Sequence, residues 1–173
     1  SSDLGKLLNI DTHIFVPDIT PVQKSERIEH FGGSKCNLYK YGSTFDECLI
    51  KAEEFSNDNT ALFVHPFNDL SVIQGQSTIG YEICDEINPD TVLCSVGGGG
   101  LISGMYVHRY DNNMNYSIYG TEPEGAASMK QSLQTNKLVT LENIDTFVDG
   151  ASVKTVGDLT YDICKKNNAK IFP

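Results

Sequence analysis

The chain has 173 residues, enough to bury a core in one ordinary domain or two small subdomains but short for most complete two-domain enzymes. Its 23 acidic against 13 basic residues give a formal charge of -10, which argues against nucleic acid or anionic membrane as partners and leaves any bound phosphate to backbone amides rather than a basic patch. Cys36, Cys48, Cys84, Cys94 and Cys164 are odd in number and widely spaced, so they read as reduced thiols of a cytoplasmic protein rather than a disulfide scaffold. No segment reads as a membrane span or a signal peptide.

In chain order, Asp3–Leu8 reads as the end of a helix whose start is missing. His13–Val16 is a short apolar strand closed by Pro17, and Thr20-Pro21 suits a threonine N-cap with proline at the first helical position. Gly32-Gly33 stops that helix. Lys35–Tyr39 is the next strand, Thr44–Phe55 an amphipathic helix with Phe45, Cys48, Leu49 and Ala52 on one face, and Ala61–Val64 a third strand. After a loop at His65–Asp69 come a helix from about Thr78 to Ile87, a strand at Thr91–Val96, a helix after a glycine run, and a strand at Tyr116–Gly120. Glu124–Lys130 begins another helix, Gln134–Asn143 is a polar connection, Asp158–Lys166 is a last helix, and Ile171-Phe172-Pro173 starts a strand. This alternation implies an α/β fold of mostly parallel sheets flanked by helices. A compositional seam at His65–Asp69 divides it into lobes at 1–65 and 66–173, with a ligand cleft expected between them.

The chemistry concentrates at Ser95-Val96-Gly97-Gly98-Gly99-Gly100-Leu101-Ile102-Ser103-Gly104. Four glycines between an apolar strand and an apolar helix start read as an anion cradle rather than a flexible turn, because amides without side chains can close around a phosphate at a helix N-terminus. The run is not a P-loop, since no Lys-Ser/Thr pair follows, and it lacks dinucleotide-fingerprint spacing, which favours a smaller phosphorylated ligand. Gly75-Gln76-Ser77-Thr78-Ile79-Gly80 reads as a structural helix start, with a second ligand edge as its functional alternative. For the run around Gly150, a simple turn and a close approach to a flat ligand stand even. His65 is expected to satisfy loop backbone groups rather than act as a general base, and Glu122 with Glu124 to be a solvated acidic pair rather than a cation site. His13, His30 and His108 show no ligand spacing, and no Ser-His-Asp arrangement follows from the spacing.

Several ordered motifs then carry a resemblance over essentially the whole chain. They are Phe15-Val16-Pro17 with Thr20-Pro21 and Gln23-Lys24, Pro66-Phe67-Asn68, Ile73-Gln74-Gly75-Gln76-Ser77-Thr78 and the tetraglycine loop with Leu101. Glu122-Pro123-Glu124-Gly125-Ala126-Ala127-Ser128-Met129 and Phe147-Val148-Asp149-Gly150-Ala151-Ser152-Val153-Lys154 through Asp158 complete the set. Together they closely resemble the fold-type II pyridoxal-phosphate enzymes, whose fold is tryptophan synthase beta-like, and within them the threonine dehydratases of the biosynthetic kind. The resemblance implies an incomplete fold of two parallel-sheet lobes, a small-lobe portion at 1–65 and the first part of the large cofactor-binding lobe at 66–173.

It further implies pyridoxal 5'-phosphate as cofactor, its phosphate held by main-chain amides of Gly97, Gly98, Gly99, Gly100 and Leu101, and Gly150 beside its pyridine ring. In relatives that bind a divalent cation, Glu122 matches a ligand and Ala126 a carbonyl donor, but Ser128 stands where an acid is needed, so no metal is expected. Ser77 replaces a glycine usual in the family. The lysine that carries the cofactor and a Ser/Gly/Asn loop match nothing in these residues; Lys24 and Lys154 belong to other motifs, and no catalytic residue is assigned. The implied reaction is β-elimination from L-threonine to 2-oxobutanoate and ammonia, with L-serine as a further substrate and a homo-oligomer as the usual assembly. The alternatives are a serine racemase or serine dehydratase, and a truncated non-catalytic relative that binds phosphate or pyridoxal phosphate.

Overall fold

Two parallel ladders organise the chain, one in each of two units, residues up to Phe63 and Val64–Pro173, in a computed structural model that describes residues 2–148 and 150–173. The first unit contains α1 (Ser2–Leu7), β1 (Thr12–Val16), α2 (Val22–Gly32), a 3-10 turn at Gly33–Lys35, β2 (Cys36–Lys40) and α3 (Phe45–Asn59). β1 and β2 pair in parallel, with Thr12 opposite Cys36 and Val16 opposite Lys40. On them lies an aromatic cluster in which Phe15 stacks on Tyr39 with centroids 4.7 Å apart, and Phe55 tilts against both Phe15 and His13.

Local chemistry sets these boundaries. α2 starts one residue later than the sequence suggests: Pro21 takes the N-cap place and its carbonyl accepts from the Lys24 and Ser25 amides, while no side chain caps the end, so Thr20 is not the cap. Gly33, at φ +55°, ends the helix as expected. α3 is capped by Thr44, whose Oγ1 accepts from the Glu47 amide, while Glu47 Oε2 accepts from the Ser43 amide. This reciprocal capping box reaches one residue further back than usual. The helix continues to Asn59, beyond the expected end at Phe55. The third strand expected at Ala61–Val64 does not form. Ala61 donates its amide to the Ser56 carbonyl and its carbonyl accepts from Ser56 Oγ, so both its ladder groups are spent on the end of α3.

The second unit runs α4 (Leu70–Glu86), β3 (Thr91–Ser95), α5 (Gly100–Asp111), β4 (Ser117–Thr121), a 3-10 turn at Glu124–Ala126, α6 (Ser128–Thr135), α7 (Asp158–Lys166) and β5 (Lys170–Phe172). Its strands pair in parallel in the order β3-β4-β5, with Ser95 opposite Thr121 and Tyr119 opposite Lys170. α4 begins eight residues before the expected Thr78, because Asp69 caps it by accepting from the Ser71 and Val72 amides. Gly75–Gly80 therefore lies inside the helix, where its amides belong to the helical ladder; this removes it as a second ligand edge.

The core of this unit gathers Val96, Ile102, Met105, Ile118, Met129, Cys164 and Ile171 between the sheet and its helices. α4 and α5 approach each other at glycines. A Cβ on Gly104 would stand 2.7 Å from the Gln76 carbonyl carbon and the Ser77 nitrogen, and one on Gly80 would collide with the His108 ring. His108 itself is buried, with Nδ1 2.8 Å from the Tyr116 hydroxyl, which donates to the Met105 carbonyl. All five cysteines are free thiols, and burial pushes the Cys94 thiol up to about 11 and that of Cys164 to about 12. Among the described residues, no helix is long and apolar enough to cross a membrane.

Candidate functional site

The glycine run leaves the C-terminal end of β3 and opens α5, so an apolar strand delivers it to a helix start. Val96, fully buried, donates to the Thr121 carbonyl and ties the last residue before the loop to β4. Gly99 takes φ +92°, a left-handed conformation that an L side chain resists, and its carbonyl accepts the Ser103 amide, the first bond of α5. The amides of Gly100, Leu101 and Ile102 open the helix and have no carbonyl one turn back to bond, so they form a partially positive end suited to an anion.

The loop's other side is closed by protein. A Cβ on Gly98 would enter the Phe67 ring, one on Gly99 would stand 2.8 Å from Met129 Cε and from Thr160, and one on Gly97 would meet Ala151 Cα at 3.1 Å. Glycine is therefore required here by close approach as well as by backbone freedom. The Gly98 carbonyl accepts from Thr160 Oγ1 at 2.7 Å and from the Gly157 amide at 3.3 Å. Asn68 ties the preceding loop to the same corner: its Oδ1 accepts the Leu159 amide and its Nδ2 donates to Asp158 Oδ1 at 2.7 Å. These contacts hold the Asp158 carboxyl below its ordinary range, Asn68 contributing most.

Gly150 comes to the same place, its carbonyl 3.4 Å from the Cβ position of Gly97. A Cβ on Gly150 itself would meet nothing within 4 Å, so that side faces open space. The neighbouring Asp149, part of the same motif, lies outside the described residues. His65 serves its loop: Nδ1 accepts from the Phe67 amide at 3.2 Å and the Asn68 amide at 2.8 Å.

Glu122 overturns the solvated-pair expectation. It is 4% exposed, and its two carboxylate oxygens accept from the Met129 and Lys130 amides, both at 2.8 Å, so it caps α6 from the end of β4. Burial raises its pKa while the two amides pull it back down. Glu124 is exposed and plays no part in this cap. Ser128 Oγ is buried with no hydrogen-bond partner, and no metal-binding cluster of His, Cys, Asp and Glu occurs among the described residues. The residues that sequence reasoning left without a role are Phe67, Met129 and Thr160, which shape the loop from outside. Thr160 lies 62 residues from Gly98 in the chain and carries no local signal.

A family model described as pyridoxal-phosphate dependent enzyme matches residues 4–172. The chain belongs to this pyridoxal-phosphate dependent enzyme family. Within it, the chain is 42% identical over 169 residues to a biosynthetic L-threonine dehydratase of Staphylococcus aureus, covering 94% of this chain and 40% of that protein. It is similar to the processed form of threonine deaminase isoform 2 from Solanum lycopersicum, with TM-score 0.85 and 39% identity, covering 95% of this chain and 48% of that one. It is also similar to maize serine racemase, with TM-score 0.89 and 27% identity over 99% of this chain and 52% of that one. The chain thus spans about 40% of the length of the curated relative it matches. The fold is that of the fold-type II members of the pyridoxal-phosphate dependent enzymes, with parallel sheets flanked by helices.

Proposed function

We propose that this chain is part of a pyridoxal-phosphate-dependent threonine dehydratase that converts L-threonine to 2-oxobutanoate and ammonia. The observation that carries the reading is the glycine run between β3 and α5, closed by packed protein on one side and presenting the free first-turn amides of a helix on the other. In this reading Gly97, Gly98, Gly99, Gly100 and Leu101 hold the cofactor phosphate with main-chain amides, neutralising its charge without a cationic side chain. Gly150 lies beside the pyridine ring, which the open space beyond its α-carbon and its approach to Gly97 support.

The cofactor, when bound, supplies an electron sink that eases loss of a proton from the amino acid's α-carbon and departure of its β-hydroxyl. This chain's residues do the holding. The loop and α5 fix the phosphate end, and Phe67, Thr160 and Ala151 prevent the loop from collapsing away from it. The lysine that removes the α-proton is not assigned to any of the 173 residues, so catalytic competence belongs to a polypeptide that supplies it, and this stretch alone is inactive.

Threonine is favoured as substrate by the 42% identity over 169 residues to a biosynthetic L-threonine dehydratase. The test is intact mass spectrometry of the full protein after borohydride reduction, followed by turnover of L-threonine and L-serine with chiral analysis of the remaining serine. A phosphopyridoxyl adduct and faster release of 2-oxobutanoate than of pyruvate are expected. Absence of the adduct in the full protein overturns the cofactor assignment, and racemised serine without keto acid moves the assignment to a racemase.

A further inference from the structure

The glycine loop needs more than absent side chains to present amides to an anion: its peptide planes must be turned the right way. In a trans peptide the C=O of one residue and the N–H of the next point in opposite directions, and no cis peptide occurs among the described residues. The carbonyl of Gly98 is drawn toward α7, where it accepts from Thr160 Oγ1 at 2.7 Å and the Gly157 amide at 3.3 Å. The Gly99 amide in the same plane is therefore turned away from α7, to the opposite side of the loop. In the next plane, the Gly99 carbonyl accepts from the Ser103 amide and leaves the Gly100 amide pointing out of the helix start.

Thr160 is fully buried, and its hydroxyl also lies 3.0 Å from the Gly157 carbonyl. Its Cβ and Oγ1 stand 2.8 Å from where a Gly99 Cβ would be. One side chain therefore supplies both the shorter hydrogen bond that orients the 98–99 peptide and part of the wall behind Gly99. α7 is itself held at this corner by Asn68, so the hydroxyl is presented from a fixed position.

We propose that Thr160 is a positioning residue for phosphate recognition: by donating its hydroxyl to the Gly98 carbonyl, it aims the Gly99 amide at the phosphate of the cofactor. The inference rests on the phosphate-binding reading above. It predicts a defect confined to the phosphate end of the ligand and dependent on the hydroxyl rather than on side-chain volume.

The test uses the full-length protein and compares equilibrium binding of pyridoxal phosphate with that of pyridoxal, which has the same ring and no phosphate. Thr160→Val keeps the shape and removes the hydroxyl; Thr160→Ser keeps the hydroxyl. Loss of one hydrogen bond is expected to weaken pyridoxal phosphate binding by Thr160→Val roughly tenfold. Pyridoxal affinity should stay near the native value, and Thr160→Ser should recover most of the lost affinity. Thermal unfolding checks that each variant is folded, and Thr160→Ala carries the same comparison should Thr160→Val fail to fold. Equal losses for both ligands, an unchanged affinity for pyridoxal phosphate, or a Thr160→Ser as impaired as Thr160→Val overturns the proposal. Native protein that binds no pyridoxal phosphate overturns the functional reading and this inference together; native binding with an unaffected Thr160→Val overturns this inference alone.

Discussion

The two units solve the problem of stability differently. In Val64–Pro173 a contiguous core of Val96, Ile102, Met105, Ile118 and Met129 surrounds both ends of the glycine loop, so the candidate phosphate seat is an extension of the best-packed part of the chain. In the unit up to Phe63 the only buried apolar side chain among the described residues is Cys48, and cohesion comes from half-covered aromatic rings stacked on a two-stranded ladder. The loop proposed to hold a small anion in one geometry rests on the first kind of support, where close-packed neighbours restrict its backbone.

The largest effect expected from this contrast is in the core. Ile102→Ala should cost roughly 2–5 kcal/mol in denaturant unfolding, since Ile102 is fully buried in the first turn of α5, directly after the loop, and leaves a cavity. Phe55→Ala in the aromatic cluster should cost only about 1–2 kcal/mol, because its ring is partly exposed already. Equal costs would erase the distinction between the two units. A sharper comparison pairs two glycines of the site. Gly99→Ala must accept φ +92° and a Cβ crowding Thr160, a loss of roughly 1–3 kcal/mol together with weakened cofactor binding. Gly150→Ala meets no neighbour and should leave stability within about 0.5 kcal/mol while reducing affinity for pyridoxal phosphate. A Gly150→Ala variant with native affinity removes Gly150 from the site.

The smallest effect lies at the start of α7. The Asp158 carboxyl is held below its ordinary range chiefly by Asn68, so its stabilisation is present above the unfolded carboxylate's pKa and fades as pH falls through the depressed folded value. Because the group is largely exposed, Asp158→Asn should cost only about 0.3–0.5 kcal/mol at neutral pH and nothing once both states are protonated. A cost that persists in acid assigns the effect to lost packing instead of charge.

Much of this architecture was legible in the residues. The glycine run announced itself because apolar β3 and apolar α5 flank it without a linker-like spacer, and Asp158–Lys166 could be bounded because Gly157 and the Asn167-Asn168 pair bracket an amphipathic stretch. The start of α4 is hidden in the sequence because Gly75, Ser77 and Thr78 weaken its helical pattern, although Asp69 two residues ahead of Ser71 is a cap signal. Ala61–Val64 has strand composition, but a strand also needs free ladder groups, and Ser56 takes both of those of Ala61. Glu122 read as a solvated acid because its burial depends on α6 folding back over the end of β4, and Thr160 was silent because its partner is remote in the chain. Contacts of the latter kind join segments far apart in the chain, so no local pattern records them.

The meeting of α4 and α5 at Gly104 has a kinetic consequence. With only a hydrogen atom separating that α-carbon from the Gln76–Ser77 main chain, close packing resists sliding of the two helices, which favours a start of α5 already formed before any ligand arrives. On the proposed phosphate-binding reading, the ligand then docks into a preformed socket at little cost in ordering entropy. Its association should follow a single phase whose rate rises linearly with ligand concentration, as encounter with a rigid receptor does.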